Sequence, residues 1–264
     1  MMGGTCSASP ATKEGAIMVR SLLIRGMIAG FLASLLAVGF AKIVGEPQVD
    51  RAIAFEMQME QAKSGEHEHD ATPELVSRDV QSGIGLFIGV GVFGTAVGGL
   101  FALVFAFVYG RVGALCARAT SVLMALFGFI AFVLVPFLKY PPNPPAVGDP
   151  GTIGSRTALF FTMIGLSLAA LAIALFVARK LTVRFGTWNA TLSASTVFLG
   201  LVLLAQWLLP EVNEIPDQLS AVLLWRFRMA SFGIQAVLWT GLGVLFGSLV
   251  ERLLEERHSA FRIS

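Results

Sequence analysis

Hydrophobic residues form six long runs along the chain, and polar segments separate them. A helix needs about 20 mostly apolar residues to cross the hydrocarbon core of a bilayer, and each run reaches that length. The runs cover residues 21–44, 83–110, 114–138, 157–178, 189–209 and 224–250. The pattern predicts an all-α, polytopic membrane protein with about six transmembrane helices.

The segment that precedes the first run is polar and contains no periodic apolar pattern. We therefore expect residues 1–17 to form a disordered N-terminal tail and residues 18–264 to form a single transmembrane domain. The first run is longer than the apolar part of a signal peptide, which has about 7–15 residues, so we expect it to be retained as a span.

Composition agrees with a membrane protein and excludes several other classes. Of the 264 residues, 55% are hydrophobic and 14% are charged. The formal net charge of +2 is too small to indicate a nucleic-acid partner. The two cysteines form no CxxC motif, and no GxxxxGK[ST] phosphate loop, HExxH motif or Ser/His/Asp set is present. We expect no enzymatic activity and no tightly bound cofactor. The main partner that we expect is the lipid bilayer around the helices.

Charge placement predicts the orientation of the spans. If the N-terminus is cytoplasmic and six spans alternate, 11 of the 19 Lys and Arg residues fall in short inner segments. Only 4 of the 17 Asp and Glu residues fall on that side. Because short cytoplasmic loops are enriched in Lys and Arg, both termini are predicted to be cytoplasmic.

The longer connections, at about 45–82, 139–156 and 210–223, are therefore the outer ones; we call them outer loops 1, 2 and 3. They are acidic or rich in proline. Each is followed by arginine at the head of the next helix, namely Arg78, Arg156, and Arg226 with Arg228. This order suggests three helical-hairpin repeats, which would bring the three outer loops and their arginines to one mouth.

Outer loop 1 begins with three carboxylates, Glu46, Asp50 and Glu56, just beyond the first span. They are candidates for a vestibule that concentrates cations. The alternative is a solvated segment with internal ion pairs.

Further along outer loop 1, the sequence EHEHD alternates imidazole and carboxylate groups. Imidazole suits late first-row metals such as cobalt, nickel, copper and zinc. Glu66, His67 and His69 are therefore candidate metal ligands. A polar loop without a metal is the alternative, because an HxH pattern has low specificity.

Outer loops 2 and 3 offer further oxygen ligands. Asp149 and Asn143 lie in the proline-rich outer loop 2, and Glu211 and Glu214 lie in outer loop 3. A cation-attracting rim is one interpretation. The other is that Arg226 and Arg228 neutralise the acids of outer loop 3.

Small and polar residues within the spans indicate how the helices pack. The pairs Gly85–Gly89, Gly94–Gly98 and Gly243–Gly247 fit GxxxG, which allows close helix approach within the chain or in a homo-oligomer. Gln206 and Gln235 are expected to form interhelical hydrogen bonds. Carboxylates are absent from the middle of the runs, which argues against a proton pump built on deep acids.

Five sequence blocks, GEPQVDRAIAFE, LVSRDVQSGIGLF, YPPNPPAVGDPGTIGSRT, WNATL and PEVNEIPDQ with the later LWRFRMAS, resemble the CbtA family of probable cobalt transporter subunits. The likeness covers the chain from about residue 18 onward. It implies transport of cobalt into the cell across a bacterial cytoplasmic membrane. Nickel stays an alternative ion, because the candidate ligands hardly distinguish the two metals.

The resemblance also implies a second, small transporter subunit, which spans the membrane once and carries a His-rich terminus. Members of the family often carry histidine in the first outer loop, as His67 and His69 do here. Descriptions of the family tend to give five spans, whereas the apolar runs predict six. Two other interpretations remain: a substrate-binding component of an importer energised by separate ATPases, and a structural component without its own pathway.

Overall fold

The computed structural model describes residues 10–63, 77–111, 115–145, 147–148, 150–216 and 218–263. All regular elements in these residues are helical, which confirms the all-α prediction. The α-helices, in chain order, are α1 (Pro10–Phe40), α2 (Glu46–Lys63), α3 (Arg78–Val80), α4 (Leu86–Val108), α5 (Ala117–Phe129), α6 (Val135–Lys139), α7 (Ile153–Leu208) and α8 (Ala221–Ile263). Three π-helical turns join successive α-helices, at Ala41–Gly45, Gln81–Gly85 and Ile130–Leu134.

Five helices in the described part of the chain are long and apolar enough to cross a membrane. They are Met18–Met59, Arg78–Val108, Ala117–Lys139, Ile153–Leu208 and Ala221–Glu255. Large apolar side chains on them are exposed, for example Phe107 at 70% and Trp207 at 79%. Contiguous exposed apolar surface on this scale indicates a lipid-facing protein. The chain is thus a multi-pass membrane protein.

The difference between five helices and the predicted six arises in α7, which contains both the 157–178 and the 189–209 runs. A straight helix of its 56 residues would be about 84 Å long, more than twice the thickness of a bilayer core. Gly186 interrupts it with φ +76° and ψ 166°, a conformation that is essentially restricted to glycine. The interruption falls between the two predicted spans.

Packing around α7 shows that its two parts lie side by side. Met163 from the first part and Val202 and Ala205 from the second part share one buried cluster, which also contains Val135. Residues 39 positions apart in a straight helix would be separated by about 58 Å, so the chain reverses direction near Gly186. Six crossings, with both termini on one side, stay a prediction that this reversal supports.

Gln206 forms the interhelical hydrogen bond that was expected of it. Its Nε2 donates to the carbonyl oxygen of Val135 at 3.2 Å and ties the end of α7 to α6. Pro136 follows Val135 and has no N–H to offer an upstream carbonyl, which loosens the main-chain bonding at this point.

By its internal contacts the chain divides into two compact units. The first comprises residues 1–39, 76–126 and 237–264, and the second comprises 40–75 and 127–236, as far as each is described. The prediction of one domain over 18–264 is not tested by this division. All three outer loops belong mainly to the second unit, and Arg78 belongs to the first.

In the first unit, α1 and α4 meet along a seam of glycines. A Cβ added to Gly30 would lie 2.9 Å from Gly98 Cα, and one added to Gly98 would lie 2.9 Å from Gly30 Cα. A Cβ added to Gly26 would likewise clash with the carbonyl oxygen of Gly98, and one added to Gly94 would clash with the carbonyl oxygen of Gly30. Gly94–Gly98 therefore packs against a second GxxxG pair, Gly26–Gly30, within one chain.

Helices α5 and α8 also pack closely in the first unit. The Ser121 hydroxyl donates to the carbonyl oxygen of Gly243 at 2.7 Å, and a Cβ at Gly247 would lie 3.0 Å from Arg118 Cα. Arg118 forms an ion pair with Glu251. The Gly243–Gly247 pair thus serves packing within the chain as well.

The N-terminal segment differs from the expected tail. Helix α1 begins at Pro10, so residues 10–17 are helical, and residues 1–9 lie outside the described part. Proline is favoured in the first turn of a helix because its fixed φ fits and its missing N–H has no intrahelical role there.

Candidate functional site

Outer loop 1 begins as helix α2, which follows the first π-turn directly and runs for 18 residues. Glu46 and Asp50 lie one turn apart and share a face of α2. Glu56 follows Gly45 by eleven residues, about three turns, and therefore lies on the face of Gly45.

The two faces of α2 have different surroundings. A Cβ at Gly45 would lie 3.3 Å from Cδ1 of Ile234, so this side faces α8. Ala52, on the same side, is fully buried. Glu56 is half-buried on this packed side, and Asp50 is exposed on the other. The three carboxylates therefore do not converge on one point of α2.

The EHEHD candidates lie outside the described residues. Helix α2 ends at Lys63, three residues before Glu66, and the described chain resumes at Ser77. Glu66, His67 and His69 therefore stay predictions. Asp149 of outer loop 2 also lies outside the described residues.

Outer loops 2 and 3 are joined by two polar contacts that run in opposite directions. Arg156, the last residue of outer loop 2 and part of the first turn of α7, places its Nε 3.4 Å from Oε2 of Glu214 in outer loop 3. Arg228, which follows outer loop 3, donates from Nη2 to Oδ1 of Asn143 in outer loop 2 at 3.0 Å. Each loop thus supplies an arginine to the other.

Gly148 packs directly against the guanidinium group of Arg156. Its φ of +111° lies in a region that L side chains rarely adopt, and a Cβ there would lie 2.8 Å from Cζ of Arg156. Glycine is therefore required both by the backbone conformation and by the space that the guanidinium occupies.

A third contact between the same loops involves Tyr140. Its hydroxyl donates to the carbonyl oxygen of Pro210 at 2.8 Å. Burial raises the pKa of the Tyr140 hydroxyl above its ordinary value because desolvation disfavours the phenolate. The group therefore keeps its proton at neutral pH and remains a donor.

These contacts bear on the proposed ligands of outer loops 2 and 3. The carboxylate of Glu214 is paired with Arg156, and the side-chain oxygen of Asn143 accepts from Arg228. Glu211 is exposed. In one of the two interpretations Arg228 neutralises the acids of outer loop 3, but the contact observed for it is to Asn143. Arg156 partners Glu214 instead.

Within the described ranges, no group of three or more His, Cys, Asp or Glu side chains could hold a metal ion. The nine predicted ligands include four, Glu66, His67, His69 and Asp149, that fall outside those ranges. A complete coordination shell would need ligands from these segments, from a partner, or from a rearrangement of the described loops.

Sequence reasoning identified the arginines after the outer loops but not their partners. Asn143 and Arg228 are 85 residues apart in the chain, and no local pattern relates them. It also missed the Gly26–Gly30 pair, although the sequence GMIAG carries the same spacing as the three GxxxG pairs that were recognised.

A family model described as "Probable cobalt transporter subunit (CbtA)" matches residues 19–251. Neither the curated proteins nor the solved structures gave a match. The matched segment contains all three outer loops and all six apolar runs, so the chain belongs to the CbtA family of probable cobalt transporter subunits.

Proposed function

We propose that this chain is the main membrane component of a cobalt uptake transporter and that the ion enters through the face formed by the three outer loops. Family membership over residues 19–251 is the observation that carries the proposal. The long apolar helices supply the membrane-spanning part that such a component needs. We assign it no catalytic role.

The outer face supports cation entry by its charge. Under the predicted topology, 13 of the 17 acidic residues lie on this side. Clefts lined by one sign of charge raise the local concentration of counter-ions and speed their association. Glu46, Asp50 and Glu211 are the acids that we propose attract the ion, because they lie at the outer ends of the spans.

The EHEHD segment is proposed to capture the ion before it enters. His67 and His69 supply imidazole, and Glu66 supplies a carboxylate. Ligands of this kind bind both cobalt and nickel, so the segment gives affinity for the group of metals rather than selection among them.

We further propose that the chain works with the small single-span partner that carries its own histidines, in the inner membrane of a bacterium and with both termini cytoplasmic. The positive-inside pattern supports this orientation. The chain has no phosphate loop of the Walker type, so ATP coupling would require a separate ATPase protein.

The test is cobalt content in cells that lack their own cobalt importers. Cells that express this chain together with the small single-span partner should accumulate cobalt at limiting external concentration, at least about tenfold above cells with an empty vector. Cells that express only the small partner are the control. Equal cobalt content in all three would contradict the proposal, and accumulation only when an ATPase is added would favour the modular importer.

A further inference from the structure

We propose that Arg156, Glu214, Arg228 and Asn143 form the outer gate of the ion path. We call these four residues the clasp. The inference rests on the proposed function, since a gate presupposes a path. It assigns to the clasp a role that neither the family description nor the charge pattern contains: the ion path is closed when the two contacts are made and open when they are broken.

The connectivity of the clasp is the first argument. The contacts join outer loop 2 to outer loop 3 twice, each time from the arginine at the head of the helix after one loop to a polar side chain of the other. Tyr140 adds a third link between these loops. Loops held together by three side-chain contacts move apart only when those contacts break.

The strength of the Arg156–Glu214 pair suits a gate. The two side chains are 26% and 20% exposed, so the pair is partly shielded from solvent but not isolated from it. Pairs at fully exposed sites contribute little to stability, and deeply buried pairs are strongly destabilising to break. A pair of intermediate exposure can break without the cost of a deeply buried pair, which leaves an open state for a ligand to select.

The elements around the clasp localise the motion. Outer loop 2 contains five prolines within residues 140–150, which stiffen its backbone. Helix α6, which precedes this loop, is held against α7 by the Gln206 hydrogen bond and by the buried cluster around Val135. The motion would therefore be confined to the part of outer loop 2 beyond α6, with the clasp as the place where it separates from outer loop 3.

The chemistry of the clasp also explains what opens it. In the closed state the guanidinium of Arg156 neutralises the carboxylate of Glu214. A divalent cation that arrives at the mouth competes with Arg156 for that carboxylate. Binding of the cation to Glu214 releases Arg156 and weakens the contact between the loops, so the ion itself selects the open state.

The test is a reversible cross-link beside the clasp. In a background with Cys6→Ser and Cys116→Ser, the pair Ser155→Cys with Asn213→Cys leaves all four clasp residues in place. Both positions are exposed. A short bis-methanethiosulfonate reagent should lower cobalt uptake at least about tenfold, and dithiothreitol should restore it, because the loops are held together.

The matched control is Thr152→Cys with Ser155→Cys, two positions on the same side of the clasp whose residues already contact each other. The same reagent should leave its uptake unchanged. Uptake by the cross-linked Ser155–Asn213 pair at the rate of the untreated protein would overturn the gate.

A second measurement needs no transport and therefore separates failure of the gate from failure of the proposed function. Val147 is 9% exposed in outer loop 2, beside Gly148. In a Val147→Cys reporter, adding Glu214→Gln should raise the rate of labelling by a membrane-impermeant maleimide about threefold or more, because the clasp opens more often. An unchanged rate would overturn the gate even if the protein moves cobalt.

Discussion

Replacing Gly98 with leucine is expected to prevent correct assembly of the protein. The added side chain would meet backbone atoms of Gly26 and Gly30 across the α1–α4 seam, not the flexible end of a side chain. The helices would have to separate, and overpacking of this kind costs about 3 kcal/mol or more when backbone has to move. The measurement is the yield and thermal stability of detergent-solubilised protein by size-exclusion chromatography.

The control for this prediction lies on the same helix. Gly89 is also part of a GxxxG pair, but a Cβ at Gly89 would meet nothing within 4 Å. Gly89→Leu should therefore leave yield and stability close to those of the wild type. Equal behaviour of the two variants would show that the seam does not determine assembly.

The second large effect is expected from the EHEHD segment. Replacing both His67 and His69 with alanine removes the two imidazoles of outer loop 1, and cobalt uptake at limiting cobalt should fall about tenfold. At saturating cobalt the loss should largely disappear, since capture is no longer the limiting step. The measurement is the initial rate of cobalt uptake over a range of external concentrations.

His258 provides the control for the histidine variants, because it is the third histidine of the chain and lies on α8 far along the sequence from outer loop 1. His258→Ala should leave the uptake curve unchanged. A double variant of His67 and His69 with wild-type uptake at limiting cobalt would remove the capture role from this segment.

The membrane helices were predictable because each required only a long apolar run. The short basic segment at 179–188, between the fourth and fifth apolar runs, indicated a turn, and the chain reverses direction there. The form of that turn was not predictable from the pattern, since helix continues on both sides of Gly186 and the positive φ of this glycine interrupts it.

Helix α2 shows a different limit. Its sequence carries no long apolar run, so it was treated mainly as an outer loop. The structure forms 18 residues of helix there. The segment is rich in Ala, Glu, Gln and Met, which favour helix, so local propensity was the signal that could have found it.

The sequence predicted which polar residues lie at the candidate site, but it did not predict which of them contact each other. The positions of Arg156 and Arg228 after the outer loops were visible in the sequence. Their partners were not, because the choice of Glu214 and Asn143 depends on which loops fold against each other. The glycine pairs likewise did not indicate which helix each would pack against, since that depends on the opposing backbone atoms.

The central claim is that this chain itself forms the path for cobalt. The most direct measurement is cobalt influx into sealed proteoliposomes that contain the purified chain and the small single-span partner, followed with a cobalt-sensitive dye trapped inside. We expect influx that requires the chain and that falls when the Ser155–Asn213 pair is cross-linked. Influx that is no faster than in liposomes containing only the small partner, under an imposed membrane potential and with ATP supplied, would contradict it.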